Sequence, residues 1–174
     1  MATPLPSTPP HTRVVLISKS IRTFFPFALA VSIAAAVANS LTEMSVHHWY
    51  LRLTKPDWAL PPQTLSMVGT VCYALMALSA WLVYKKSGDW MTAQKPLLLW
   101  GIQLILNALW PGFFFAIRNV RLGAIEIIVL LGFVVAATVS FFRRDRTAGW
   151  FMSLYGLWTT YVAALTLAIW HQNY

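Results

Sequence analysis

Four polar and aromatic side chains recur at helical spacing inside one long apolar run. They are Gln103, Asn107, Trp110 and Phe114. Intervals of four, three and four residues place them on a single stripe of an α-helix. Amides that face lipid without a partner are costly, so the stripe must face other helices or a cavity. Two interpretations stay open here: hydrogen bonds that hold a helix bundle together, or one wall of a ligand pocket.

A stiff aromatic segment lies between the first two apolar runs. Residues 49–62 read WYLRLTKPDWALPP and contain three prolines and three aromatic residues. Prolines fix φ and reduce the entropy lost on ordering. Trp49, Tyr50 and Trp58 offer large flat surfaces. The segment is therefore a candidate ligand cover, and a loop held at the membrane surface by its aromatic residues is the alternative.

Two more residues inside apolar runs are candidates for function. Trp158 lies in mid-run, where a buried indole N–H requires a partner, so we assign it to a pocket. Glu126 is the only acid inside an apolar run, which makes it a functional candidate. Arg118 and Arg121 precede it closely, so we favour a paired or snorkelling carboxylate over a proton relay.

Catalytic and metal-binding motifs are missing from the sequence. It has no phosphate-binding glycine loop, no H-E-x-x-H and no nucleophile elbow. The single cysteine, Cys72, lies in an apolar run and excludes a disulfide within the chain. His47 and His48 lack a cluster of further metal ligands. We therefore assign no catalytic residue, no metal site and no required cofactor.

Composition indicates the elements that position these residues. The chain has 174 residues, of which 58% are hydrophobic and 10% charged, against about 25% charged in a soluble domain. Five apolar runs match the roughly 20 residues that a helix needs to cross a bilayer. They span residues 24–41, 63–84, 97–117, 122–142 and 148–170. These features predict an all-α integral membrane protein, a five-transmembrane-helix bundle over residues 23–171.

The ends of the runs predict the orientation in the membrane. Nine Lys and Arg residues lie in the N-terminal segment and in the loops after the second and fourth runs, and four lie on the other side. The positive-inside rule then places the N-terminus in the cytoplasm, and the C-terminus and residues 49–62 outside. This placement accounts for the net charge of +8, so we expect no nucleic-acid partner. Residues 1–22 are proline-rich, basic and lack a signal peptide, which predicts a disordered tail.

A second stripe on the third run consists of small residues. It contains Gly101, Ala108, Gly112 and Ala116. Small residues let two helices approach closely, either within the bundle or between two subunits. Pro111 lies in the same run and predicts a kink or a freed carbonyl.

Three motifs in this order resemble the TspO/MBR family, the tryptophan-rich sensory and translocator proteins. The first is Trp49-Tyr50 followed by Lys55-Pro56, Trp58 and Pro61. The second is Gln103-Leu104 with Asn107, Trp110 and Phe114-Phe115. The third is Ala148-Gly149 with Tyr155 and Trp158. The resemblance covers about residues 24–170, and the motifs are specific only in combination.

The resemblance implies a five-helix bundle, a homodimer and a cavity for flat hydrophobic ligands. The implied ligands are tetrapyrroles such as porphyrin and haem, with sterol as a further possibility. Residues 42–62 would form a lid over this cavity, and Arg52 and Lys55 would meet the ligand's carboxylates. The implied ligand-binding residues are Trp49, Tyr50, Trp58, Pro61, Gly69, Tyr73, Gln103, Asn107, Trp110, Phe114, Gly132 and Trp158.

This chain departs from the family pattern at two tryptophan positions, which read Gly69 and Gly132. By resemblance, both glycines enlarge or reshape the pocket. The leading hypothesis is a tetrapyrrole-binding sensor or transport protein. The alternatives are a small-molecule exporter and a light-dependent porphyrin-degrading enzyme, and the missing ring at position 69 argues against the enzyme.

Overall fold

The fold is described by a computed structural model for residues 10–174, with side chains from Arg22 onward. Its helices are α1 (Pro10–Glu43), α2 (Trp49–Arg52), α3 (Pro62–Ser87), α4 (Trp90–Pro111), α5 (Val120–Phe142) and α6 (Arg146–Asn173). In this part of the chain five helices are long and apolar enough to cross a membrane: α1 from Arg22, α3, α4 with its extension to Ala116, α5 and α6. The prediction of an all-α membrane protein with five spans is confirmed.

The N-terminal segment differs from the prediction of a disordered tail over residues 1–22. Helix α1 begins at Pro10, so residues 10–22 are helical, and residues 1–9 lie outside the described part. A proline at the first helical position loses no hydrogen bond, because the first backbone N–H groups of a helix have no intrahelical acceptor. No glycine or proline interrupts the sequence from His11 to Phe25, so the first span can extend backwards as one helix.

Short polar residues begin the last three long helices. The side chain of Asp89 accepts a hydrogen bond from Thr92 N at 2.8 Å, Asn119 accepts one from Leu122 N at 3.0 Å, and Asp145 accepts one from Ala148 N at 2.8 Å. Each pairs a backbone donor that the first helical turn leaves without a partner. The Thr92 backbone N–H also holds the pKa of Asp89 below its ordinary value. These caps fix where the connecting loops end.

The five long helices form a ring in the order α1, α3, α6, α5 and α4, and α4 closes the ring on α1. Ser79 is fully buried and donates to Ala148 O at 2.8 Å, which joins α3 to α6. Trp100 donates from Nε1 to Met76 O at 3.2 Å, which joins α4 to α3. Such bonds pair polar groups that lipid cannot satisfy.

Helix α4 changes geometry after Pro111. Residues Gly112–Ala116 form a π-helical turn, in which Ile117 N donates to Gly112 O at 2.8 Å. Proline has no N–H, so Pro111 leaves the carbonyl of Asn107 without its helical donor. The predicted distortion at Pro111 is therefore present as a wider turn, which carries Phe114 and Phe115 into the bundle, where both are buried.

Part of the small-residue stripe on α4 faces α1. A side-chain carbon added at Gly112 would lie 3.5 Å from Leu41 Cδ1, and Ala108 shares an apolar groove with Ala30 and Ala34. Nothing lies within 4 Å of the corresponding carbon at Gly101. Around Ala108 and Gly112 the stripe thus packs within the chain, and the homodimer stays a prediction.

The contact between Gly149 and Phe142 gives the first test of this packing. The ring of Phe142 would overlap a side-chain carbon at position 149. Gly149→Ala should therefore destabilise the protein by about 1–3 kcal/mol through overpacking. Gly156→Ala on the same helix is the control, because its new carbon would meet Val134 at an ordinary 3.5 Å.

Thermal unfolding in detergent measures both variants, and in a Phe142→Ala background Gly149→Ala should cost little, because the ring that it would overlap is absent. Equal melting temperatures for the two glycine variants would contradict this account of the packing.

Candidate ligand-binding site

A cavity of about 190 Å³ lies in the half of the bundle that carries the lid. All five long helices, α2 and the π-helical turn contribute to its wall. Seven of the residues assigned from sequence line it: Tyr50, Gly69, Tyr73, Asn107, Trp110, Phe114 and Trp158. None of the described residues in the lining carries a formal charge. The site is therefore suited to a hydrophobic ligand that is oriented by a few polar groups.

Stacked aromatic rings form the wall on α4 and α6. Trp110 stacks on Phe114 with ring centres 5.1 Å apart and planes at 21°, and its Nε1 donates to Gly123 O at 3.2 Å. Trp158 stacks on Tyr161 at 5.3 Å and 22°. Each stack fixes the orientation of a ring that borders the cavity. A flat ligand would therefore meet surfaces that are already ordered.

A polar pair lies deep in the same wall. Asn107 donates from Nδ2 to the Tyr155 hydroxyl at 3.0 Å, and Tyr155 is 1% exposed. Tyr155 lines the cavity beside Thr159 but was not among the residues assigned from sequence. Its spacing of three residues from Trp158 was the available signal. For Asn107 both open interpretations hold, since it bonds another helix and also borders the cavity.

Tyr50 brings an unused hydroxyl to the cavity. Its ring packs against Phe115 with centres 5.5 Å apart, and the residue is 3% exposed. The hydroxyl has no hydrogen-bond partner among the described residues, and burial raises its pKa to about 12. A buried, unpaired hydroxyl costs free energy, so this group is ready to bond a ligand atom.

Two of the assigned aromatic residues and one proline lie outside the lining. Trp49 packs edge-on against Phe114 at 5.6 Å, so it supports a cavity residue from behind. Trp58 is 49% exposed and packs its ring on Tyr161. Pro61 is exposed at the start of α3, and Pro62 borders the cavity in its place.

The other two residues outside the lining are Gln103 and Gly132. Gln103 is fully buried and bonds from Nε2 to Met76 Sδ at 3.4 Å. It lies one turn further from the lid than Asn107, where Met76 separates it from the cavity. Gly132 is on the exposed side of α5, two residues from the buried Leu130 and Val134. Only Gly69 of the two glycines therefore enlarges the cavity.

Hydrogen bonds attach the lid to α6. Asn173 bonds both backbone groups of Thr54, at 2.9 Å to N and 2.8 Å to O, and Leu60 N donates to the Tyr161 hydroxyl at 3.0 Å. Lys55 Nζ donates to the carbonyls of Tyr50 at 2.9 Å and Leu53 at 2.8 Å. Burial lowers the pKa of Lys55. The lid and the C-terminal end of α6 therefore lie at the same end of the bundle.

The charged residues near the cavity differ from the expected pairing. Arg118, whose φ is 58°, donates from Nε to Ser45 Oγ at 2.9 Å, so it secures the start of the lid. Glu126 is buried and both of its carboxyl oxygens lack a hydrogen-bond partner among the described residues. Glu126 was expected to be paired, with Arg118 and Arg121 nearby, or to snorkel. This was wrong, because its carboxylate is buried and forms no ion pair among the described residues. The ammonium group of Lys55 donates to carbonyls of the lid, so these bonds compete with the expected contact to a ligand carboxylate.

Comparison with known proteins places the chain in a family. The profile of the TspO/MBR family matches residues 26–171. The human translocator protein is 29% identical over 149 residues, covering 85% of this chain and 88% of the relative. Protein CrtK of Rhodobacter capsulatus is 30% identical over 125 residues, covering 72% of this chain and 78% of the relative. A tryptophan-rich sensory protein of Cereibacter sphaeroides is 27% identical over 148 residues, covering 85% of this chain and 91% of the relative. The chain belongs to the TspO/MBR family.

Proposed function

We propose that the protein is a membrane sensor or transport protein that binds tetrapyrroles, such as porphyrin or haem, in the cavity under the lid. The observation that carries the proposal is an uncharged cavity bordered by two ordered ring stacks, Trp110–Phe114 and Trp158–Tyr161. Flat faces of this kind suit a planar aromatic ligand. The names of relatives as translocator and sensory proteins agree with transport or sensing.

The size of the cavity bears on the ligand class. Its volume of about 190 Å³ is below the roughly 300–1,000 Å³ typical of small-molecule sites. A macrocycle must therefore widen the site or extend beyond it. The small residues where α3 faces α1 leave room for this on one side, because α4 and α6 present the rings of Trp110, Tyr155 and Trp158 on the other.

Carboxylates of a tetrapyrrole would stay at the edge of the site. An unpaired charge in an uncharged, low-dielectric cavity is strongly unfavourable. The apolar macrocycle would occupy the ring-lined interior, and its acidic edge would face a polar rim. Sterol is the competing ligand class, because it also combines a flat apolar body with one polar end.

Titration with protoporphyrin IX, haem and a sterol tests the proposal through quenching of tryptophan fluorescence. We expect saturable quenching by the tetrapyrroles, because Trp110 and Trp158 border the cavity. Trp110→Phe and Trp158→Phe should each reduce the quenched amplitude. Trp150→Phe is the control, because this residue is 65% exposed and packs on Phe142 at the far end of α6.

If only the sterol gives saturable quenching, the ligand class is a sterol and the proposed tetrapyrrole is wrong. Quenching that never saturates, or that falls equally in all three variants, would contradict a site under the lid.

The unpaired hydroxyl of Tyr50 gives a second test. Tyr50→Phe removes a hydroxyl that can hydrogen-bond the ligand. Protoporphyrin affinity should therefore fall about three- to tenfold, the equivalent of one hydrogen bond. The same change removes an unsatisfied buried group, so the ligand-free protein should melt at the same or a higher temperature. A lower melting temperature with unchanged affinity would show that the hydroxyl serves the fold instead of the ligand.

The two glycines separate binding from light-driven degradation. Gly69→Trp puts an indole into the cavity, so protoporphyrin affinity and the rate of bleaching under light should both change, with faster bleaching. Gly132→Trp should leave both unchanged, because position 132 is outside the cavity. If the unmodified protein already bleaches porphyrin rapidly, the degrading enzyme is the better description. If Gly69→Trp alters neither quantity, position 69 serves only helix packing.

A further inference from the structure

The wall of the cavity is built from large residues on one side and small residues on the other. Helices α4 and α6 contribute the rings of Trp110, Tyr155 and Trp158. The larger Leu65, Tyr73 and Met76 also line it from α3, but where α3 faces α1 the lining residues are small: Ala35, Ala38, Asn39, Ser66, Gly69 and Thr70. Apart from its own helix backbone and chain neighbours, a side-chain carbon added at Gly69 would meet no atom of the described residues within 4 Å. The wall is therefore weakest between α1 and α3.

Three residues at this place both line the cavity and face outward. Asn39 on α1 and Ser66 and Thr70 on α3 are exposed and also belong to the lining. A residue can do both only where the cavity reaches the surface of the bundle. The cavity therefore opens sideways through the helix ring.

Contacts elsewhere on α3 show which neighbour borders this opening. On one flank, Trp81 donates from Nε1 to the Thr23 hydroxyl at 3.2 Å, and Tyr84 packs on Phe27 at 5.9 Å. These bonds join α3 to α1. On the opposite flank Ser79 bonds α6. With 3.6 residues per turn, Ser66 and Thr70 lie on the flank of Trp81 and Tyr84, which faces α1.

The opening is confined to the half of the bundle near the lid. In the other half, Phe24 packs edge-on against Trp81 at 5.7 Å, and Phe27 packs on Trp100 at 5.8 Å. Above the cavity, the hydrogen bonds of Asn173 and Tyr161 hold the lid down. The gap lies between two membrane-spanning helices and therefore on the side of the bundle that faces the bilayer, whereas the lid covers the end of the bundle.

We propose that the gap between Asn39 on one side and Ser66 and Thr70 on the other is a lateral portal, through which the ligand passes directly between bilayer and cavity. This inference rests on the proposed function of the cavity. The portal would take a flat apolar molecule dissolved in the lipid that carries acidic or hydroxyl groups on one edge. The side chains of Asn39, Ser66 and Thr70 can hydrogen-bond the polar edge of the ligand. The uncharged interior of the cavity would exclude that edge. Gly69 at the threshold leaves room for the macrocycle to extend past the wall.

A reversible cross-link between the two sides of the portal tests this route. Asn39→Cys and Thr70→Cys are combined in a Cys72→Ala background, reconstituted in lipid vesicles and linked with a bifunctional methanethiosulfonate that reductant removes. Stopped-flow tryptophan quenching then measures protoporphyrin uptake from porphyrin-loaded vesicles, and release to empty ones. The matched control carries both cysteines, each blocked by a monofunctional methanethiosulfonate. Asn173→Ala, which loosens the lid, is measured in parallel.

Linking should slow uptake and release together, each by about tenfold or more, because a closed gate changes rates without changing the bound state. Reductant should restore both rates, and the blocked control and Asn173→Ala should exchange porphyrin as fast as the unlinked double-cysteine protein. Unchanged rates after linking, or faster exchange in Asn173→Ala alone, would overturn the portal in favour of a route under the lid. Failure of positions 39 and 70 to cross-link would also overturn it.

A protein that binds no porphyrin before linking gives a different result. It refutes the proposed function, and with it the portal that serves it. Equilibrium titration of the unlinked double-cysteine protein distinguishes the two failures, because binding with unaltered kinetics rejects the portal alone.

Discussion

The contacts of Tyr161, which join the lid to α6 and to the cavity wall, are the interaction on which the site depends. Asn173 satisfies both backbone groups of Thr54, and the Tyr161 hydroxyl accepts from Leu60 N. Tyr161 in turn stacks on Trp158, so the residue that holds the lid also orients a ring of the cavity wall. Covering the cavity and ordering its wall are therefore one structural event. Trp58 also packs on the Tyr161 ring, so one residue supports a ring of the lid and a ring of the wall.

An empty space inside a helix bundle costs packing energy, so its walls need stabilisation from elsewhere. Here the stabilisation is concentrated on α4, α5 and α6, through the Trp110–Phe114 stack and the bond between Asn107 and Tyr155. The π-helical turn after Pro111 directs Phe114 and Phe115 into this wall. Small lining residues are concentrated where α3 faces α1, so the cavity can widen most easily on that side.

Hydrophobic periodicity in the sequence was enough to predict the membrane-spanning helices and the residues that share one helix face. Long apolar runs identified the five spans, and helical spacing brought Asn107, Trp110 and Phe114 to one wall. It could not show how far the cavity extends along α4. Gln103 shares that stripe, but about 6 Å of helix rise separates it from Asn107, and Met76 fills the space there. The face of α5 misled in the same way, since Gly132 was assigned by resemblance and points outward.

The partners of the lid were beyond sequence reasoning for a different reason. Thr54 and Asn173 are separated by 119 positions, and Leu60 and Tyr161 by 101. No local pattern marks such pairs, because their meeting depends on the arrangement of all five helices. Arg118 shows the same limit: its neighbours in sequence suggested Glu126, whereas the fold brings it to Ser45.

The most direct test of the central claim is an experimental structure of the protein bound to protoporphyrin IX in lipid nanodiscs. We expect density for the macrocycle beneath the lid, between Trp110 and Trp158, with its acidic edge at Asn39 and Thr70. Density on the lipid-facing surface of the helices, with the cavity unchanged, would contradict it.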